Sequence, residues 1–300
     1  MTGPLDAPGV TLRASDLIAL RRLALERQVP PPVAALPGGF VTRRRGHGQE
    51  IADVREYVAG DDIRHLDRGS TARTGVLHIR SFQEERDRVT ILVADFRPAM
   101  LWGLSRAFLS VAAAEALVLI GWRAVEEGGR VGLLALGAGE PVALAPRGRT
   151  RGMLQVIGGL VRAHEAALGL ALAGEREDPP FDAGFQRIER IAPAGCEIII
   201  ASGFDAAGEG LPDRLAALSQ RRVPRLLAMT EGATRRLPPG SYPIRLADGR
   251  RRRLRISGPA DTPPETLAIA GQQALVIDAG APLSETALRL AGAFPPDRTP

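Results

Sequence analysis

The sequence predicts an α/β fold, a mostly parallel sheet with helices on both faces. Three observations carry this reading. Val89–Ala94, Val131–Leu136, Cys196–Ala201 and Val223–Met229 are short apolar runs with the length and continuous hydrophobicity of strands buried on both sides. Longer stretches at 104–125, 150–173 and 211–220 have helical character and lie between them. Alternation of the two is what βα units around a parallel sheet produce.

Taken in order, residues 15–27 read as a helix with Leu17, Leu20, Leu23 and Leu25 on one side and Ser15 or Asp16 as cap. Prolines between Val29 and Pro37 end it. Residues 38–88 form a polar, glycine-rich module that closes with a strand over Val76–Phe82. The main domain spans 89–256. In it, Pro141–Ala145 follows its neighbour after a tight turn, so it should run antiparallel at the sheet edge. The helix at 150–173 is expected to break near Gly158-Gly159, and Phe181–Ile191 to form a short helix. Tyr242–Leu246 and Arg252–Ile256 flank Ala247-Asp248-Gly249, a hairpin signal. Residues 257–300 read as an extension with one helix near Ser284–Leu290.

Composition narrows the function. The 300 residues carry Lys plus Arg 39 against Asp plus Glu 34, a net charge of +5, and every basic residue is arginine. Acidic residues interspersed among the arginines argue against a continuous basic stripe, so no nucleic-acid partner is expected. Aromatic residues at 4% also argue against a base-stacking platform. One cysteine, Cys196, excludes an internal disulfide and a cysteine zinc site, and it reads as a core thiol. Four histidines leave little for a metal cluster, and His164, on a helix, reads as surface or packing. Without lysine there is no P-loop, and no Gly-x-Ser-x-Gly occurs. No apolar stretch is long enough for an integral membrane segment, and the first ten residues lack a secretion signal, so a cytoplasmic location is expected.

The densest polar signal lies at 43–85. Arg55, Tyr57, Gly60, Asp61, Asp62, Arg64, Asp67, Arg73, Arg80 and Glu84 follow no helix or strand period there. Arg55, Arg64 and Arg73 can pair with Asp61, Asp62 and Asp67 in a network that holds an irregular segment in place. The competing reading is a metal-dependent enzyme or phosphate binder using Asp61, Asp62 and Asp67 with His65. The two are separable. An enzyme needs the carboxylates converging on an open position, whereas a structural network has them paired.

Arg55-Glu56-Tyr57, Ala59-Gly60-Asp61-Asp62-Ile63-Arg64, Leu66-Asp67-Arg68, Ala72-Arg73 and Arg80-Ser81-Phe82-Gln83-Glu84 together form a spaced motif. It resembles the signature of a bacterial family of von Willebrand factor A-like proteins of unknown function, commonly encoded beside MoxR-type AAA+ ATPases. Ala59 and Arg68 depart from that signature, which has Pro and Trp there. The resemblance implies a von Willebrand A-like, Rossmann-like domain. It also implies a MoxR-type AAA+ ATPase as partner, in the assembly, maturation or stress handling of an unknown client protein.

Domains of this kind usually bind Mg²⁺ at the carboxyl end of the first strand, through an Asp-x-Ser-x-Ser loop and a later Asp. Here the first loop keeps Asp95 but has Arg97 and Ala99 at the serine positions. The later loop reads Ser202-Gly203-Phe204-Asp205, with Gly203 in place of the aspartate. The site therefore reads as a degenerate metal site, with Arg97 pairing with Asp95 in place of the ion. Trp102, beside this loop, has an exposed, partner-facing edge as the lesser of its readings, and Trp122 reads as core packing. The function implied is a non-enzymatic adaptor with no catalytic residues, no metal and no cofactor.

Overall fold

The computed structural model describes residues 7–26, 50–58, 61–83, 88–245, 250–258 and 264–294. It divides into two compact units, Gly39–Asp87 and the remainder. The larger unit opens with helix α1 (Ala14–Leu25). Its N-cap is Arg13, whose side chain does not cap the helix, and Ser15 donates to Asp16 rather than capping it. Leu17, Leu20 and Ala24 form its buried stripe, and the indole N–H of buried Trp122 donates to the Leu17 carbonyl.

The smaller unit holds strand β1 (Glu50–Glu56), helix α2 (Arg68–Thr74) and strand β2 (His78–Gln83), with β1 and β2 paired antiparallel. Asp67 caps α2 by accepting from the Gly69 N–H, and Gly75 ends it at φ 76°, a left-handed conformation suited to glycine.

The larger unit continues with β3 (Val89–Asp95), α3 (Leu109–Glu126), β4 (Arg130–Leu136), β5 (Val142–Gly148), α4 (Arg149–Leu172), α5 (Phe185–Ile191), β6 (Glu197–Ser202), α6 (Leu211–Ser219) and β7 (Val223–Thr230). Then come β8 (Gly240–Arg245), β9 (Arg251–Ile256), β10 (Thr266–Ile269), β11 (Gln272–Asp278) and α7 (Leu283–Ala293). The sheet has seven strands in the order β10-β11-β7-β6-β3-β4-β5. Its inner strands are parallel, and β5 lies antiparallel at one edge as expected.

Alternate residues of the strands feed two cores. Leu92, Leu133, Ile199, Leu227 and Leu275 face α1, α3, α4 and α7, whereas Ile91, Leu134, Ile198, Leu226 and Ala274 face α5 and α6. Helix α3 is buried on nearly every side because α1, α4 and α7 pack around it. No described helix is long and apolar enough to cross a membrane.

Three sequence expectations are corrected. Helix α4 is continuous through Gly158-Gly159. Gly159 is there for close packing, since a Cβ would lie 2.7 Å from Leu133 Cδ2 and 2.8 Å from Leu144 Cδ1. Helix α3 begins at Leu109 and not near Leu104, because Glu231 holds the preceding segment through the Leu104 N–H and the Ser105 hydroxyl. The expected hairpin is present as β8–β9, and among the described residues it forms a sheet of its own beside the seven-stranded one. Residues 264–294 are not a loose extension. They add β11 beside β7, β10 beyond it, and α7 on the α3 face.

Candidate functional site

In open α/β sheets the ligand crevice lies at the carboxyl ends of the strands, where successive connections leave on opposite faces. Here that point falls between β3 and β6. The connection from β3 to β4 runs through α3 on one face, and that from β6 to β7 runs through α6 on the other. Asp95 ends β3 and Ser202 ends β6, so the topology brings the two loops singled out in the sequence into contact.

Asp95 is completely buried and Arg97 is 1% exposed. The Arg97 guanidinium grips the carboxylate with Nε to Oδ1 at 3.0 Å and Nη2 to Oδ2 at 2.9 Å. The Arg97 backbone N–H adds a third bond to Oδ1 at 3.0 Å. The Ser202 hydroxyl donates to Oδ2 at 2.6 Å and accepts from the Phe204 N–H at 2.8 Å. The remaining guanidinium hydrogens go to carbonyls. Nη1 donates to Pro179 at 2.8 Å and Ala206 at 3.0 Å, and Nη2 donates to Asp205 at 2.8 Å. All five N–H donors of Arg97 are thus used. The guanidinium also lies 4.9 Å from the centroid of the Phe181 ring, within cation–π range.

The local chain is shaped to deliver those carbonyls. Phe204 and Ala206 have φ of 58° and 45°, left-handed conformations that non-glycine residues seldom adopt. With left-handed residues on either side of Asp205, the loop presents the Asp205 and Ala206 carbonyls to the guanidinium. Phe181 and Asp182 N–H groups bind the Ala206 and Ala207 carbonyls, which fixes the loop from the other side.

These residues do not fit a Mg²⁺ ion. The ion needs several oxygen ligands at near-octahedral positions. A guanidinium already neutralises Asp95, Ala99 has no side-chain donor, and Gly203 sits against Met100 and Asp205. A Cβ on Gly203 would lie 2.9 Å from the Asp205 carboxylate, so Asp205 partly fills the space an aspartate at 203 would take. Ala99 contributes through its backbone, donating to Asp178 at 2.9 Å. Burial pushes Asp178 and Asp205 above the ordinary carboxylate range, and for Asp205 the nearby Asp178 charge adds to it. Among the described residues no three His, Cys, Asp or Glu side chains converge as a metal-binding group. Asp178 had no motif to mark it in the sequence, since its role depends on the 175–180 loop folding over Ala99.

The polar module is organised by short-range bonds. Arg55 and Asp61 form a two-pronged pair at 2.8 and 2.6 Å, and Asp61 also accepts from the Val58 N–H at 2.9 Å. Asp62 caps the 3₁₀ turn Ile63–His65 through the Arg64 N–H, and that bond, with the Arg64 side chain, lowers its pKa. Arg73 donates to Ser70 rather than to an aspartate, and the His78 ring lies against the Val76 carbonyl and Thr74 while its own carbonyl accepts from the Asp67 N–H. The Tyr57 N–H donates to the Leu77 carbonyl, joining the end of β1 to the approach to β2. Arg80 lies in β2 opposite Val54. His47, Ala59, Gly60 and Glu84 lie outside the described residues.

Pairing in the module therefore differs in weight. The Arg64 side chain is 88% exposed, so solvent screens its pair with Asp62, whereas Arg55 and Asp61 are 28% and 22% exposed. Arg64→Ala is expected to leave the melting temperature nearly unchanged. Arg55→Ala should accelerate amide exchange at Val58 and Asp61, because Asp61 loses the partner that orients it. Equal exchange rates in the two variants would refute this ranking.

Two other sequence candidates take defined places. Trp102 is exposed beside the crevice loop, with exposed Leu104 close by in the chain. His164 is fully buried, its Nε2 2.9 Å from the Ser110 hydroxyl and its ring edge-on to Phe96 at 5.1 Å.

Residues 53–180 match the model of the family described as "Protein of unknown function DUF58". The match takes in the module from Asp53, the Asp95–Arg97 loop and the strands and helices as far as the 175–180 loop, but not Ser202 or Asp205. Over 125 residues the chain is 34% identical to an uncharacterized protein of Mycobacterium bovis and to uncharacterized proteins from two strains of Mycobacterium tuberculosis. That similarity covers 40% of this chain and 37% of each relative, well under two thirds of their length.

Proposed function

We propose that this chain is a non-enzymatic interaction protein whose von Willebrand A-like crevice carries a built-in cation in place of a metal ion. The observation that supports this best is Arg97, buried, fully hydrogen-bonded and clasped to Asp95. An Mg²⁺-dependent crevice can change its surface with ion occupancy. This one has its positive charge on the chain, so the loops around it keep one arrangement. Its rim, with exposed Trp102 and Leu104, is the surface offered to a partner. By resemblance the partner is a MoxR-type AAA+ ATPase in the cytoplasm, and the pair acts on other proteins in their assembly, maturation or stress handling.

No observation favours the enzyme reading. Asp61 faces Arg55, Asp62 caps a 3₁₀ turn and Asp67 caps α2, so none is turned to a shared open position.

The test joins calorimetry with co-purification. Titration with Mg²⁺ or Mn²⁺ should give no specific heat, and chelator should leave both the melting temperature and an ATP-dependent association with a hexameric ATPase unchanged. A single-site isotherm tighter than about 100 µM, abolished by Asp95→Ala, would overturn the built-in-cation reading. Failure to retain any ATPase in the presence of ATP would overturn the partner.

A further inference from the structure

The positive charge of this chain is concentrated in one place. Residues 235–255 hold eight arginines against one aspartate, more positive charge than the whole chain's +5, so the rest of the molecule is net acidic. Most of these arginines lie on or beside the hairpin β8–β9, which stands apart from the seven-stranded sheet.

The register divides the ribbon into two faces. Arg251, Arg253 and Arg255 share one face, opposite Arg245, Pro243 and Ser241. Arg252, Leu254 and Ile256 share the other, opposite Ile244, Tyr242 and Gly240. Tyr242, Ile244 and Ile256 are partly covered, and the Tyr242 hydroxyl is tied to the Pro238 carbonyl. The first face is open, and all of Arg251, Arg252, Arg253 and Arg255 are exposed. None of these four is bonded to a carboxylate among the described residues. Exposed arginines elsewhere in the structure often are, as with Arg21–Glu126 and Arg187–Glu140.

We infer that this ribbon is a sequence-independent docking surface for the phosphate backbone of a nucleic acid. Alternate strand residues repeat at about 6.8 Å, so Arg251, Arg253 and Arg255 form a ladder of guanidinium groups along a line. A linear polyanion with regularly spaced charges matches a ladder. A guanidinium fork also binds phosphate oxygens in pairs, which makes an all-arginine strand suited to phosphodiesters. A two-stranded ribbon has the dimensions of a duplex groove. A bilayer fits less well, because the open face carries no large apolar side chain to embed, and Leu254 points to the other face. The acidic remainder of the molecule confines contact to the ribbon, so only a few phosphates are engaged. Charge along the sequence as a whole is interspersed, but Arg250–Arg253 is an unbroken run that reads as a solvated hairpin strand or, as the alternative, a polyanion patch, and strand alternation on the hairpin makes a ladder of it.

The test is fluorescence anisotropy with a labelled 25-base single strand and a labelled 25-base-pair duplex, from about 50 mM salt upward. Binding is expected in the micromolar to submillimolar range, with log K falling against log salt at a slope of about −2 to −3, the value for three phosphates. Arg251→Glu with Arg253→Glu and Arg255→Glu should abolish it, and the corresponding triple Gln change should weaken it at least about tenfold and flatten the slope. The triple Lys change should retain most of it. An unchanged far-ultraviolet spectrum and melting temperature would show that the fold is kept. Reversing three exposed arginines elsewhere, Arg151, Arg176 and Arg190, should have a much smaller effect. Equal loss in that control would overturn the inference, as would no binding by the natural chain. So would binding to phosphatidylglycerol vesicles or polyglutamate with none to either nucleic acid.

Discussion

Arg97→Ala is expected to destabilise the larger unit by about 3–5 kcal/mol, the cost of breaking a buried ion pair from one side. Three losses combine. Asp95 remains fully buried without its countercharge, the carbonyls of Pro179, Asp205 and Ala206 lose their shared donor, and Phe181 loses the cation over its ring. Arg97→Lys should recover only part, since an ammonium has three donors and cannot span both carboxylate oxygens and three carbonyls at once. Denaturant unfolding measures both variants. A loss below about 1 kcal/mol for Arg97→Ala would mean that the carbonyls and Asp95 are satisfied by other means. Removing both charges, as in Asp95→Leu with Arg97→Met, should still be costly, because the Pro179 and Asp205 carbonyls lose their donor and Ala206 keeps only the Phe181 N–H.

The second large effect is expected in the pH dependence of stability. Burial lowers the pKa of His164 to about 4 from an ordinary value of 6.5. The unfolded chain therefore takes up this proton at a higher pH than the folded one. The contribution of a neutral, buried His164 is complete above pH 6.5, falls as the pH drops, and is lost by about pH 4. A difference of this size corresponds to about 3 kcal/mol. Replacing His164 by Leu together with Ser110 by Ala removes the titrating group and its hydroxyl partner without leaving the latter unpaired. The stability difference between natural chain and variant should narrow or reverse between pH 6.5 and 4 by about that amount. A difference constant across this range would show that His164 is not the group responsible.

The central architecture was readable because buried parallel strands have a simple linear form. Val89–Asp95 and Glu197–Ser202 are apolar over nearly their whole length, and the turn after Leu136 dictates an antiparallel edge strand. The end of the sheet was not readable in the same way. Thr266–Ile269 is four residues long, and β11 was hidden in a region whose prolines suggested a tail. The cue that existed was the tight turn at Ala270-Gly271, with φ of 49° and 80°, which joins the two strands. In the crevice, Asp95, Arg97 and Ser202 could be assembled from their loop positions. The carbonyls of Pro179, Asp205 and Ala206 could not, because a main-chain acceptor has no sequence marker and depends on the conformation of its loop. The module shows the same limit. The charges were visible, but only the fold shows that Arg55 and Asp61 are shielded and Arg64 is not.

Cys196 is the chain's single thiol, it is buried in the α5–α6 core, and burial raises its pKa to about 11. Reactions with maleimides or alkylating reagents require the thiolate, so at neutral pH this sulfur is nearly silent. A cysteine introduced on the surface would therefore label selectively with the native residue left in place. One dye at Trp102 and another preparation carrying it at Leu254 would report separately on the crevice rim and the arginine ribbon, on otherwise native backgrounds. The molecule is in this sense already prepared for site-specific spectroscopy.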